Sequence, residues 1–157
     1  MHDLACVLHL HSTHSDGTGT VRQIARAASR ADVDVVMLTD HDTLAARRLG
    51  EEDWYGDALV LAGEEISPLG RDHYLAFGLD EHVGHRGLGA CAVCRAVRDA
   101  GGFGFAAHPF SQGSERFKRA GIPFGALGCD ALHGIELWSF VNDTGERIRG
   151  IPGLLRF

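Results

Sequence analysis

The chain has 157 residues, of which 45% are hydrophobic and 23% are charged, so it can bury the core of one globular domain. Its formal charge is −6, and its basic residues, all arginine except Lys118, are scattered along the sequence, which argues against a basic nucleic-acid surface. No apolar run reaches the length of a membrane span, and the N-terminus lacks the features of a signal peptide. We therefore expect a single cytoplasmic domain over residues 1–157.

The four cysteines are expected to be reduced thiols in that compartment. Cys91 and Cys94 have the spacing of a redox or zinc motif, but they lie in an amphipathic helical pattern, on the same face as Val97. No second cysteine pair occurs at zinc-finger spacing. The pattern therefore favours a place in the core for Cys91 and Cys94.

Short apolar segments alternate with helical patterns along the chain. Thr20 and Gln23 have the spacing of a capping box at the start of the first helix, and Gly101-Gly102 ends the third. Residues 51–57 are predicted to be a polar connection, and residues 115–120 one or two helical turns. The alternation predicts βαβ units and a parallel sheet. The predicted strands cover residues 5–10, 33–38, 58–62, 73–77, 103–107 and 134–138, and the predicted helices cover about 20–32, 43–49 and 89–100.

The first predicted strand runs into Val7-Leu8-His9-Leu10-His11. Because side chains alternate along a strand, His9 and His11 point to the same face, where two neutral imidazoles can chelate zinc, manganese or iron. The alternative is a pair of surface histidines on an edge strand. Further side chains of ligand type at the ends of strands favour the metal-site interpretation, because the carboxyl ends of the strands form the active-site face of a β/α barrel. These residues are His41, Glu65, His108 and Glu136.

Together, these segments resemble the PHP (polymerase and histidinol phosphatase) family of metal-dependent phosphoesterases. The resemblance implies a distorted (β/α)7-type barrel of parallel strands, with two or three divalent ions (manganese, zinc or iron) at its mouth. It covers essentially the whole chain in order. The matching segments are His9-Leu10-His11-Ser12, Ser15-Asp16-Gly17, Thr39-Asp40-His41-Asp42-Thr43, Gly63-Glu64-Glu65-Ile66-Ser67, His73-Tyr74-Leu75, Ala107-His108-Pro109 and Gly134-Ile135-Glu136.

The resemblance also implies a role for each metal ligand. A bridging carboxylate suits such a centre because its two oxygens hold two ions close enough to share a hydroxide. The implied ligands are His9 and His11 for the first metal, Glu65 as the bridge between the first and second, His73 and His108 for the second, and Asp16 and His41 for the third.

Several residues beside these ligands have competing interpretations. Glu64 could replace Glu65 as the bridge, although the Gly-x-Glu-Ile-Ser spacing favours Glu65. Asp40 could orient the imidazole of His41, and Asp42 is expected to cap the second helix.

The candidate catalytic residues are Glu65, His14 and Asp40. His14 could contact a substrate phosphate or protonate the leaving group, or else face solvent. Arg71 and Arg116, in predicted loops, are candidate phosphate contacts, although solvated arginines are commoner. Glu136 could orient a metal ligand or water, or lie at the barrel rim. The histidines that match no motif are expected to be solvated, namely His2, His82, His85 and His133.

One segment of the family pattern has no counterpart. A late Gly-Ser-Asp-x-His segment, which brings an Asp to the first metal and a His to the third, is missing, and six strands cannot close a seven-stranded barrel. We therefore expect a truncated domain that needs a partner, or a missing C-terminal part, to close its barrel.

The resemblance implies a phosphoric ester hydrolase that acts on a phosphomonoester or a nucleotide phosphate ester through metal-activated hydroxide. One alternative is an inactive or partner-dependent metal-binding remnant. Another is an amidohydrolase-type enzyme that cleaves carbon–nitrogen bonds. Such barrels often bridge their metals with a carboxylated lysine, but Lys118 lies in a predicted loop.

Overall fold

The structure, a computed structural model, describes residues 3–114, 118–139, 142 and 144. One main sheet is flanked by helices, and a separate two-stranded ribbon lies beside it. No helix in these ranges is both long enough and apolar enough to cross a membrane. The strands are β1 (Cys6–Val7), β2 (Val35–His41), β3 (Asp53–Tyr55), β4 (Ala58–Ile66), β5 (Tyr74–Phe77), β6 (Phe103–Ala106), β7 (Gly113–Ser114), β8 (Arg119–Ala120) and β9 (Gly134–Ile135), and the helices are α1 (Val21–Arg30), α2 (Ala45–Arg48) and α3 (Ala90–Asp99).

The main sheet has the strand order β1-β2-β4-β5-β6-β9. Strands β1, β2 and β4 are parallel, β5 runs antiparallel to both β4 and β6, and β9 is parallel to β6. The short β3 pairs with the first half of β4, on the same side as β5. The sheet is therefore mixed, and the prediction of purely parallel strands is wrong, because the connection between β4 and β5 contains no crossover helix.

The predicted elements occur in the predicted order, with different lengths. β4 continues four residues beyond the predicted end of its strand, because β2 pairs with it up to His41 and Glu65. The first and last predicted strands shorten to two residues each, and the predicted polar connection contains β3. The predicted helical turns at 115–120 lie partly outside the described residues, and their end forms β8.

Helix α1 packs its small apolar face on the first half of the sheet. The capping box is confirmed: the hydroxyl of Thr20 accepts from the backbone N–H of Gln23, whose side chain accepts from the N–H of Thr20. Val21, Ala25 and Ala28 are buried against the sheet. Because these side chains are small, α1 packs closely against the half of the sheet that contains β2 and β4.

Helix α3 covers the other half, where Val93, Cys94 and Val97 pack near the buried Tyr74. Burial of Cys94 agrees with the predicted core role, and burial raises the pKa of its thiol to about 11. The expectation that all cysteines are free is wrong, because Cys91 forms a disulfide with Cys129. The two cysteines are 38 residues apart, so no local sequence pattern predicts their bond.

Candidate metal centre

The predicted ligands meet at one edge of the main sheet. The carboxyl ends of β2, β4 and β6 lie there and carry His41, Glu65 and the segment leading to His108. His73 precedes β5 instead of following it. Because β5 runs antiparallel to its neighbours, its amino end lies at the same edge, which explains how a histidine at the start of a strand reaches the site.

Glu65 lies at the centre of this cluster and is only 1% exposed. Its Oε2 is 3.1 Å from Nε2 of His9 and 3.2 Å from Nε2 of His11. Its Oε1 is 2.7 Å from Nδ1 of His73 and 3.1 Å from Nε2 of His108. Nδ1 of His41 is also 3.5 Å from Oε2, so imidazoles face both carboxylate oxygens, and one carboxylate could serve two ions.

The electrostatics of the cluster follow from this geometry. Burial alone would raise the pKa of Glu65, but hydrogen bonds from the surrounding imidazoles outweigh it and hold the pKa far below its usual range. Burial would lower the pKa of His9, but its hydrogen bonds to Glu136 and Glu65 raise that pKa to about 9. For His41, burial dominates and lowers the pKa. The carboxylate therefore stays anionic in an environment that attracts positive charge.

Glu136 orients two of the histidines. Its Oε1 is 3.1 Å from Nδ1 of His9, and its Oε2 accepts a hydrogen bond of 2.6 Å from the backbone N–H of His108. A carboxylate on Nδ1 leaves Nε2 of His9 directed at Glu65, the arrangement by which metal-binding histidines are commonly held. Of the two interpretations of Glu136, the contacts favour the orientation of a ligand.

A second, more open group contains His11, His41 and Asp16. The rings of His11 and His41 stack with their centroids 4.5 Å apart, and each has a nitrogen 3.8 Å from an oxygen of Asp16. The side chain of Asp16 is 70% exposed. Nδ1 of His11 is buried and has no hydrogen-bond partner within the described part of the chain, as expected for a nitrogen that a cation would satisfy.

Three groups of ligand atoms lie close enough together to hold an ion each. Imidazole nitrogens and carboxylate oxygens suit zinc, manganese and iron, so the donor chemistry fits the metals that the resemblance implies. One group combines His9 with His108, although these two imidazoles face different oxygens of Glu65, whereas His9 and His11, the pair that the family pattern implies, both face Oε2. The groups are His9, Glu65 and His108; His41, Glu65 and His73; and His11, Asp16 and His41.

The structure places Asp40 away from the imidazole of His41. Its carboxylate is 2% exposed and accepts hydrogen bonds of 2.7 Å from the backbone N–H of Ser12 and from the hydroxyls of Ser12 and Ser15. The interpretation of Asp40 as a partner of His41 finds no contact to support it. Asp40 instead fixes the loop that carries His11 and Asp16.

Two other candidates lie apart from the cluster. Nε2 of His14 is 2.6 Å from a carboxylate oxygen of Glu51, so His14 has a protein partner and does not face solvent freely. The exposed Arg71 donates to the carbonyl of Gly121 at 3.4 Å. Arg116 lies outside the described residues.

Glu64 points away from Glu65 and forms a separate group. It is fully buried, and it accepts from the backbone N–H of Val83 and lies 2.6 Å from Nδ1 of His82. Burial raises the pKa of Glu64, although the hydrogen bond to His82 opposes that shift. His82 is exposed, as expected, with 38% of its side chain accessible, and it also supplies the partner that the buried carboxylate on β4 needs.

The expectations for two residues near this group, Asp42 and His85, are wrong. Asp42 does not cap α2, whose first residue follows Leu44; its carboxylate accepts from the backbone N–H of Ser67. The side chain of His85 is only 19% exposed and lies 3.6 Å from Asp42. Positive φ at Asp42 (50°) turns the chain away from β2 before the helix can begin.

The cluster lines a cavity of about 470 Å³. Gly17 lies on its wall, where a side chain would collide with the carbonyl of His11. The cavity is also lined by residues that no local sequence pattern marks. They are Leu10, Thr18, Ile122, Ser139 and Asn142.

No protein-family model matches the chain. A curated relative, a phosphoribosyl 1,2-cyclic phosphate 1,2-diphosphodiesterase from Eggerthella lenta, is 39% identical over 83 residues. The match covers 47% of this chain and 30% of that protein. The matched stretch therefore spans less than a third of the relative.

Two solved structures are similar. A provisionally assigned metal-dependent phosphoesterase from Bifidobacterium adolescentis has a TM-score of 0.58 at 19% identity, over 98% of this chain and 84% of that one. A two-domain protein from Bacteroides vulgatus, which contains a predicted PHP-like metal-dependent phosphoesterase, has a TM-score of 0.48 at 24% identity, over 68% and 35%. The first likeness shows a shared fold.

The fold is thus that of a protein assigned to the metal-dependent phosphoesterases. The shared fold agrees with the resemblance that the motifs carry.

Proposed function

We propose that this chain is a single-domain, metal-dependent phosphoesterase that hydrolyses a small phosphate ester. The observation that carries the proposal is the buried carboxylate of Glu65, which has five imidazoles within 3.5 Å, three at Oε2 and two at Oε1. A bridging carboxylate with imidazoles on both sides is the arrangement that a pair of divalent ions requires.

Each residue of the cluster then has a defined task. When bound, the ions supply activated hydroxide and neutralise the charge that develops on the phosphate. Glu65 would hold both ions, with His9 and His11 beside its Oε2 and His73 and His108 beside its Oε1. Glu136 holds His9 in the tautomer that leaves Nε2 free.

Asp16 and His41, in the more open group, are proposed to hold a third ion. Asp40 positions this group indirectly, through the Ser12–Ser15 loop. His14 is bonded to Glu51 and does not line the cavity, so we assign it no step in the reaction.

The cavity suits a small ester, because its volume of about 470 Å³ is in the range of small-molecule sites. The curated relative is named for a cyclic phosphate, and we propose a small phosphomonoester or phosphodiester for this chain. No lysine lines the cavity, which favours a phosphoesterase over an amidohydrolase with a carboxylated lysine.

The test measures metal content and hydrolysis on the same preparation. We expect at least two equivalents of bound metal, and manganese-dependent hydrolysis of an aryl phosphomonoester or a bis-aryl phosphodiester. His9→Ala should abolish turnover, whereas His133→Ala, at an exposed histidine outside the cavity, should leave it unchanged.

A folded chain with negligible metal and no turnover on either ester would contradict the proposal. That result would support the alternative of an inactive or partner-dependent remnant.

A further inference from the structure

Three arginines become neighbours once residues 21–30 form a helix. Arg22, Arg26 and Arg30 are spaced four residues apart, so they follow one another along one side of α1 at intervals of about 6 Å along its axis. All three are exposed. A row of like charges at this spacing destabilises an isolated helix unless something neutralises it.

Nothing in the described part of the chain neutralises this row. The arginine ion pairs found there belong to Arg47, Arg95 and Arg98, each of which meets a carboxylate of Glu52, Asp80, Asp99 or Asp130. The arginine row is therefore an unneutralised cationic surface on a protein whose formal charge is −6.

The row forms one wall of a concave pocket. The opposite wall is the turn between β3 and β4, where Tyr55 and Gly56 lie against α1. Tyr55 is held in place, because its hydroxyl donates to the carbonyl of Glu51 at 3.1 Å and its ring lies 5.7 Å from the guanidinium carbon of Arg22. This second wall is therefore fixed before any ligand arrives.

The lining of the pocket is suited to an anion. It has a volume of about 440 Å³, and its lining residues include no carboxylate. Ser29 adds a hydroxyl between the arginines, and a Cβ on Gly56 would lie 3.8 Å from that hydroxyl oxygen. No residue of this pocket lines the metal centre, so the two sites are separate.

We propose that this pocket binds a small anion that carries two or more phosphoryl groups, independently of the metal centre. Guanidinium groups bind phosphate through paired hydrogen bonds, and their planar fork matches its oxygens. The spacing of the arginines suits two linked phosphoryl groups better than one, and the pocket has the volume of a small-molecule site.

The test is calorimetric titration of the full chain with inorganic diphosphate, in the presence of a chelator so that no metal contributes. We expect saturable binding that Arg26→Ala weakens by about tenfold, because it removes one charge-assisted contact. Arg48→Ala, which removes an exposed helical arginine outside the pocket, should leave the affinity unchanged, as should His9→Ala at the metal centre. Inorganic phosphate should bind more weakly than diphosphate.

Three results would overturn the proposal. The first is the absence of diphosphate binding, and the second is an equal loss of diphosphate affinity in Arg26→Ala and Arg48→Ala. The third is a loss of diphosphate affinity in His9→Ala, which would place the anion at the metal centre. A single-stranded oligonucleotide that binds where diphosphate does not would identify the row as a nucleic-acid surface instead. Thermal unfolding of each variant checks that it is folded, and Arg22→Ala provides a second variant.

Discussion

Glu136 shows how a carboxylate can orient a proposed metal ligand without binding the metal itself. It contacts Nδ1 of His9 and the backbone N–H of His108, and so orients the imidazole of His9 and fixes the main chain at His108. Glu136→Gln keeps the shape of the side chain but removes its charge. We expect metal affinity to fall by about 10- to 100-fold, the usual effect of losing such a partner.

This effect can be measured by competition with a chromophoric chelator. Glu81→Gln, at an exposed carboxylate outside the cavity, is the matched control and should bind metal like the parent protein. An unchanged affinity in Glu136→Gln would show that His9 and His108 hold their orientation without this carboxylate.

Asp40 is the residue whose loss should most disturb the loop beside the site. Its buried carboxylate accepts three hydrogen bonds from Ser12 and Ser15. Asp40→Ala would leave these donors unsatisfied, and we expect the free energy of unfolding to fall by about 2–3 kcal/mol. Denaturant unfolding measures this change, with Asp57→Ala at an exposed position as the control. A loss no larger than in that control would mean that water replaces the carboxylate.

At the scale of elements, the disulfide ties α3 to the loop before β9. Cys91 and Cys129 are separated by 38 residues, and closing a loop of this length restricts the unfolded chain. We expect Cys129→Ser to lower the free energy of unfolding by about 2–4 kcal/mol. Denaturant unfolding should show that reductant lowers the stability of the parent protein but not that of the variant.

The exposed free cysteine provides the control for this prediction. Cys6→Ser should leave the free energy of unfolding nearly unchanged and should keep the sensitivity to reductant. Equal stability of the parent protein with and without reductant would contradict a structural role for the Cys91–Cys129 bond.

The elements also show which local signals carry over into the structure. The capping box at Thr20 and the apolar spacing of α1 act within a few residues, so the sequence predicts this helix closely. The length of β4 depends on β2 beside it, and the direction of β5 depends on the connection that precedes it. Such features depend on neighbours distant in sequence, and a local pattern does not contain them.

At the scale of the whole molecule, the candidate metal centre joins segments from most of the described chain. Ligands come from the loop after β1 and from the edges of β2, β4, β5 and β6, so an ion that binds them would stabilise the whole sheet. At a concentration 100 times its dissociation constant, manganese should add about 2.7 kcal/mol. For a chain of this size we expect the Tm to rise by about 5–10 °C.

Thermal unfolding with manganese, and then with excess chelator, measures this effect. Glu65→Ala should remove the manganese-dependent rise, whereas Glu81→Gln should keep it. The same Tm with and without manganese would mean that the ions do not bind the folded chain at these concentrations.

The sequence alone determined the donor set of the site. The strand pattern predicts that His9 and His11 lie together, as their rings do although β1 ends at Val7, and the ends of apolar runs mark His41, Glu65 and His108. The structure brings each of them to the cluster. It also brings His73 there, through the reversed direction of β5.

Only the tertiary structure decided which imidazoles face each oxygen of Glu65, which acid orients which histidine, and where the unassigned groups lie. Three contacts show this: His82 with Glu64, Cys91 with Cys129, and the arginine row with Tyr55. Each joins segments that are distant in sequence, or side chains that become neighbours only once a helix or strand has formed. The physical reason is that burial and charge pairing act through space, between surfaces that exist only once the sheet and its helices have packed.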